Sequence, residues 1–181
     1  MKGKAFAFVF ICIMFGARGL FAQEAFTWQL ALVKDNQRLP FDKTVSMRNG
    51  ETFSIDLFTE KDCYVYLIVE QASGALSPLL FSQLKAGAIK SVKCTLNPPA
   101  GQEKFYIVTS SREQKDLLGA IEAYNRNKSD RNAEILKDAL FEVRDSVPDS
   151  FAESARGKEN EIQGTVFYGA AAYSKTIIIS H

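Results

Sequence analysis

Cys63-Tyr64-Val65-Tyr66-Leu67-Ile68-Val69 is the run whose reading decides the fold. Aromatic and β-branched residues dominate it, and such side chains suit a pleated, extended backbone. Cys63, Val65, Leu67 and Val69 share one face; Tyr64, Tyr66 and Ile68 share the other. Neither face is polar, so the strand is expected inside a sheet and covered on both sides, by helices or by a second sheet. The strand before it, Thr52–Thr59, alternates Phe53, Ile55 and Leu57 with Thr52, Ser54 and Asp56, which gives one dry and one wet face. After it, Gln71-Ala72-Ser73-Gly74 turns the chain into a return strand, Ala75–Phe81, where Pro78 limits ladder pairing.

On the N-terminal side, Ala25–Val33 reads as a first strand with Trp28, Leu30 and Leu32 on one face. Lys34–Arg38 is a polar turn, and Leu39–Met47 holds a short edge strand limited by Pro40. Arg48-Asn49-Gly50-Glu51 is a turn signal because Asn-Gly tolerates positive φ at both central positions. On the C-terminal side, Ile89–Leu96 has one wet face and suits an outer position, and Lys104–Ser110 is again apolar. Between them Asn97-Pro98-Pro99-Ala100-Gly101 is a non-repetitive loop. The period then changes. Ser111-Arg112-Glu113-Gln114 has capping-box spacing, followed by Leu117, Leu118, Ile121 and Tyr124 at helical intervals. Ser129 caps a second helix with Ala133, Leu136, Leu140 and Val143 as its stripe, and Pro148 stops it. Asp149–Glu161 reads as a mobile loop. Thr165–Tyr168 and Thr176–Ser180 are the last strands, with Ile177-Ile178-Ile179 too apolar for a loose tail. The fold expected is mostly β: an antiparallel β-sandwich-like domain with two α-helices inserted before the last strands.

The first 22 of the 181 residues have a different character. Lys2 and Lys4 precede an apolar run, Ala5–Phe15, and Leu20-Phe21-Ala22 ends on a small residue, the pattern of an export signal cleaved after Ala22. The run is too short to span a bilayer comfortably, which sets the uncleaved-anchor alternative behind cleavage. Cys12 lies too early in it for lipid attachment. The segment holds Lys2, Lys4 and Arg18 and no acid, so its removal takes the formal charge from +1 to −2 and leaves 159 residues, enough for one domain with a real core. The remaining charges are interspersed with no basic cluster, which together with export argues against a nucleic-acid partner. The expected location is exported: the periplasm or the outer envelope surface.

Cys63 and Cys94 remain after processing. In an oxidising compartment they could form a disulfide, or each could be a small buried apolar residue. His181, at the last position, is the only histidine. A residue there seldom has the packing and third group that a catalytic base needs, and a single histidine does not make the usual zinc site. No metal or cofactor is expected. Glu60, Asp62 and Glu103 fall near strand ends and are the acids that a carboxylate hydrolase could use; with no base placed, the chain reads as not an enzyme. Ligand-binding candidates are Asn97, Gly101 and Glu103 of the Asn97–Glu103 loop, because loops on a rigid sandwich commonly carry recognition. Tyr64 and Tyr66 join them if their rings are exposed; otherwise those rings pack under another element with their hydroxyls hydrogen-bonded.

Asn49-Gly50-Glu51, Asp62-Cys63-Tyr64-Val65-Tyr66-Leu67, Ser73-Gly74, Leu80-Phe81, Leu84-Lys85-Ala86-Gly87, Pro99-Ala100-Gly101-Gln102-Glu103 and Ile107-Val108-Thr109-Ser110-Ser111 follow in this order. With them, about residues 45–111 of the chain resemble the bacterial family catalogued as domain of unknown function 4384. Ser82-Gln83 stands where that family usually has Pro-Asn. The resemblance implies a compact β-sandwich-like module of envelope proteins, often attached to other domains and without established activity. It carries over no catalytic residue, and it allows the Asp62–Leu67 signature to be turn and strand packing alone. The function expected is an exported, non-catalytic binding or scaffold module of a bacterial cell envelope, its partner an envelope protein or a glycan or peptide ligand. The alternative is a structural subunit of an envelope assembly attached through a sheet edge, with Ile177–Ile179 supplying the edge.

Overall fold

Most strands of the chain carry one apolar face, and two sheets close on each other to bury those faces. The structure, a computed structural model, describes residues 26–147, 151–154 and 164–181. In chain order the elements are β1 (Phe26–Lys34), β2 (Gln37–Leu39), β3 (Val45–Ser46), β4 (Thr52–Thr59), β5 (Cys63–Glu70), β6 (Leu76–Leu84), β7 (Ile89–Thr95), β8 (Gln102–Ser110), α1 (Lys115–Arg126), α2 (Asp130–Ser146), β9 (Phe151–Ser154), β10 (Thr165–Ala170) and β11 (Ala172–Ser180). One sheet runs β7-β4-β1-β10-β9, with β2 paired to β1; the other runs β3-β11-β8-β5-β6. The pairing of β3 with β11 is parallel and the other described pairings are antiparallel. The protein is therefore mostly β, a sandwich with two helices before the final strands. The expected export segment lies outside the described residues.

β5 has both covers that its two apolar faces demand. Cys63, Val65, Leu67 and Val69 meet Trp28, Leu30, Leu32, Ile55 and Leu57 of the facing sheet. Tyr66 and Ile68, on the reverse face, pack with Tyr106 and Val108 beneath Leu117, Ile121 and Tyr124 of α1 and Leu136 and Leu140 of α2. The result is three layers: sheet, sheet, helices. β6 and β7 lie at sheet edges, as Pro78 and the wet face of β7 predict. Pro78 stands opposite Ile68, where the β5–β6 register shifts, so its missing N–H costs the ladder little.

Several local expectations are corrected. Asp35 and Asn36 both have positive φ, which makes the β1–β2 connection a two-residue hairpin. In Arg48–Glu51 only Gly50 does, so Asn49 keeps an ordinary backbone. The capping box at Ser111 does not form, because β8 and β11 extend the sheet that far: the Ser111 N–H donates to the Ala171 carbonyl at 2.8 Å. α1 starts after Gln114 without a side-chain cap. Ser129 does cap α2, its hydroxyl accepting from the Asn132 N–H at 3.3 Å. Within the stretch read as a mobile loop, residues 151–154 form β9 and pair with β10; the rest of that stretch lies outside the described residues.

The β11 edge at Ile177–Ile179 is covered by β3 only at Ile179. Ile177 and Ile179 are fully buried in the inter-sheet core, and Ile179 pairs with Val45 of β3.

Gly164 lies just before β10, where that strand meets β1. A Cβ there would stand 2.4 Å from the Leu30 carbonyl oxygen, against backbone that cannot yield. Gly164→Ala is expected to destabilise the fold by about 3 kcal/mol, the upper end of overpacking costs. Thermal unfolding checks this, and an unchanged midpoint would contradict the close approach.

Candidate functional site

On the side where the sheets end at β6 and β7, a cavity of about 260 Å³ opens between them. Gln71 and Ser73 of the β5–β6 turn form part of its wall, with Lys93 and Cys94 of β7 and Asn97 after it. β8 contributes Glu103 and Phe105. Glu103 shares the face of β8 that carries Phe105 and Ile107, so strand alternation aims it between the sheets. Asn97 is tied back by its amide, which donates to the Thr95 carbonyl at 3.2 Å.

Two of the three loop candidates, Asn97 and Glu103, thus line one cavity. Gly101 lies behind it. Its N–H and carbonyl both pair with the main chain of His181, at 2.8 and 2.9 Å. A Cβ at Gly101 would come within 2.8 Å of the Ala72 Cβ, so a bare backbone lets this loop touch the β5–β6 turn. Gly101 holds the loop in place and does not line the cavity.

His181 was not among the sequence candidates. Its side chain is fully buried, with Nε2 3.6 Å from Glu103 Oε1 and Nδ1 2.6 Å from Asn49 Oδ1. The expectation that a histidine at this position lacks packing and a third group is therefore wrong, and the signal was present. His181 follows Ile177 and Ile179 at period two, on the inward face of β11. An amide oxygen only accepts, so Nδ1 carries a hydrogen. Nε2 is buried without a hydrogen-bond partner. Burial pushes the Glu103 carboxyl above the ordinary glutamate value, and the nearby imidazole pulls it part of the way back.

Cys63 and Cys94 are free thiols on different sheets, so the possible disulfide is not formed. Burial, reinforced by the Glu103 charge, pushes the Cys94 thiol up to about 12. Burial also raises Cys63, with Asp62 adding to it. A thiol nucleophile needs the thiolate, and neither environment favours one.

Tyr64 and Tyr66 do not join the cleft. They lie on the opposite face of their sheet, under the helices. Tyr66 is buried, and its hydroxyl accepts from the Gln114 N–H at 2.9 Å. Tyr64 is half-buried and, with Phe81 and Leu118, lines a separate hollow of about 310 Å³. The packing reading holds for Tyr66, and the five ligand candidates divide between two faces.

The three acids are also divided. Asp62 accepts from Lys85 Nζ at 2.7 Å and from the Ala86 N–H at 2.9 Å, which fastens the turn before β7. The Lys85 hydrogen bond holds its carboxyl below the ordinary aspartate value. Glu60 and Asp62 precede β5, whereas Glu103 lies beside its far end, where Lys104 pairs with Glu70. The length of that strand, roughly 25 Å at ~3.3 Å per residue, exceeds the separation of a glycosidase pair. Among the described residues no group of three His, Cys, Asp or Glu side chains is placed to hold a metal ion. No helix among them is long and apolar enough to cross a membrane.

No protein-family model matches the chain, and no curated protein matches it in sequence.

Denaturation without reductant should expose Cys63 and Cys94 to alkylation, with each mass increment complete. In the native protein near neutral pH both should react far more slowly. An unreduced sample that resists alkylation after denaturation would restore the disulfide.

Proposed function

We propose that the protein is an exported, non-catalytic binding module of a bacterial cell envelope, with the cleft between β6 and β7 as its ligand site. One observation carries this reading. The loop after β7 and the start of β8 bring Asn97 and the buried Glu103 to the wall of one cavity on a rigid sandwich. Concave sites with a few convergent polar groups are where small ligands bind. The export pattern of residues 1–22 and the resemblance to domain of unknown function 4384 support the envelope setting. In that family resemblance, Asp62 has a structural use: it fastens the Lys85–Gly87 turn. The ligand classes that suit the cleft are short peptides and glycans.

Assembly through a sheet edge is the second reading, and β6 supplies an edge for it beside that of β11. There Leu79 and Phe81 are about 40% exposed on an edge strand. Solution mass separates the two readings: a stable multimer favours assembly.

Backbone-amide NMR titration with a panel of dipeptides and chitin oligosaccharides tests the binding reading. A ligand should shift Ser73, Asn97 and Glu103. Asn97→Ala should weaken it by about tenfold, the effect of losing one good polar contact of about 1.4 kcal/mol. Tyr66→Phe should leave affinity unchanged while lowering stability by about 1 kcal/mol. Shifts confined to Tyr64 and Phe81 would move the site to the helix face and defeat the proposal.

A further inference from the structure

Glu103 says more about the ligand, on the footing that the cleft is the binding site. The residue is 9% exposed, yet among the described residues its carboxylate meets only the His181 ring, at 3.6 Å. That is beyond the ~2.7–2.9 Å of a charge-assisted hydrogen bond. Nδ1 is engaged by Asn49, and Nε2 has no hydrogen-bond partner. A largely buried carboxylate with one long contact has lost much of its hydration, and the cavity is the direction from which a further donor can arrive. An amide or hydroxyl would donate one hydrogen and leave the charge uncompensated. An ammonium brings three donors and the opposite charge, and the pair attracts more strongly in a desolvated site than at the surface.

Lys93 lines the same cavity and is exposed. A buried anion and an exposed cation around about 260 Å³ suit a small molecule that carries both charges. That volume is slightly below the usual span for drug-sized ligands, ~300–1,000 Å³, which limits the occupant to one or two residues.

We propose that the cleft binds the primary ammonium of a small zwitterion, a free amino acid or the amino terminus of a short peptide, with Glu103 as its counter-ion and Lys93 at the rim for its carboxylate. The groups facing Glu103 are His181 at the end of β11 and the neutral Cys94 thiol of β7; Lys93 lines the same cavity. Binding needs Glu103 ionised, so affinity falls as pH drops through a carboxyl range lying above 4.5.

Calorimetric and NMR titration of the full chain with L-alanyl-L-alanine, N-acetyl-L-alanyl-L-alanine and L-alanine tests this. The free dipeptide should shift Ser73, Asn97 and Glu103. Acetylation of its amine should weaken binding at least tenfold, as should Glu103→Gln, with the unfolding transition retained. Comparable binding of L-alanine assigns free amino acids; binding of the dipeptide alone assigns an amino terminus. Equal affinity for the acetylated dipeptide, indifference to Glu103→Gln, or no binding by either ammonium probe would overturn the assignment. Cleft shifts with the acetylated dipeptide or a chitin oligosaccharide would then leave the binding-module reading standing, while a cleft silent to every probe removes both.

Discussion

β5 has no polar face, and the rest of the structure answers that constraint. A strand with Cys63, Val65, Leu67 and Val69 on one side and Tyr66 and Ile68 on the other cannot sit at the surface of a two-layer sandwich. It needs a sheet on one side and helices on the other, and it has both. Burying a large apolar side chain is worth about 1.5–3 kcal/mol relative to exposure, so exposing either face of β5 would cost several such contributions. The helices are consequently not an appendage. Tyr124 of α1 donates to the Leu76 carbonyl of β6 at 2.7 Å, and Tyr66 of β5 accepts from the residue at the head of α1, at 2.9 Å. These polar ties fix the helix layer in register with the sheet that it covers.

The same layering divides the polar chemistry. On the helix side, tyrosine hydroxyls satisfy backbone groups and hold the layers together. Between the sheets, the core is mostly apolar, with Thr59 and the Tyr173 hydroxyl buried near Trp28; near Phe105, β7 and β8 bring Cys94 and Glu103 inward and β11 brings His181. The interior there is not dry hydrocarbon. It ends in a cleft whose wall includes an acid, an amide and a thiol.

Periodicity carried most of the fold into the sequence. β1, β4, β5, β7 and β8 stand within two residues of their expected ends, and the helices follow their stripes. What periodicity could not show was how far strands continue into apparent turns. The capping box at Ser111 was overridden because β8 and β11 hydrogen-bond past it. β9 arose in a stretch too short and too polar to read as a strand, since its partner β10, rather than its own composition, defines it. For the site, loop chemistry brought out Asn97 and Glu103 but misplaced the tyrosines, which share a strand with core residues and face away from the loop. His181 was legible only to a reader who extended the alternation of Ile177 and Ile179 by one more step. Which acids meet in space was not legible, because strand connectivity puts Asp62 and Glu103 at opposite ends of β5.

The placement of Glu103 runs against stability. Its carboxyl is raised above 4.5 chiefly by burial, so the folded state holds that proton more tightly than the unfolded chain does. Such a group favours folding when protonated, and that contribution is lost as pH rises through the folded value. At neutral pH the fold therefore carries an ionised acid that a neutral residue of the same shape would spare it. His181 recovers part of the cost, but at 3.6 Å and with Asn49 holding its other nitrogen it does not complete a hydrogen bond. Asp62, by contrast, has both oxygens satisfied by the turn that it fastens. One acid is placed for structure; the other is held at a cost beside a cavity. Residues held against stability cluster where a protein meets its ligand, and that contrast, more than the cavity's size, is what supports placing the proposed site at the Glu103 end of the sandwich.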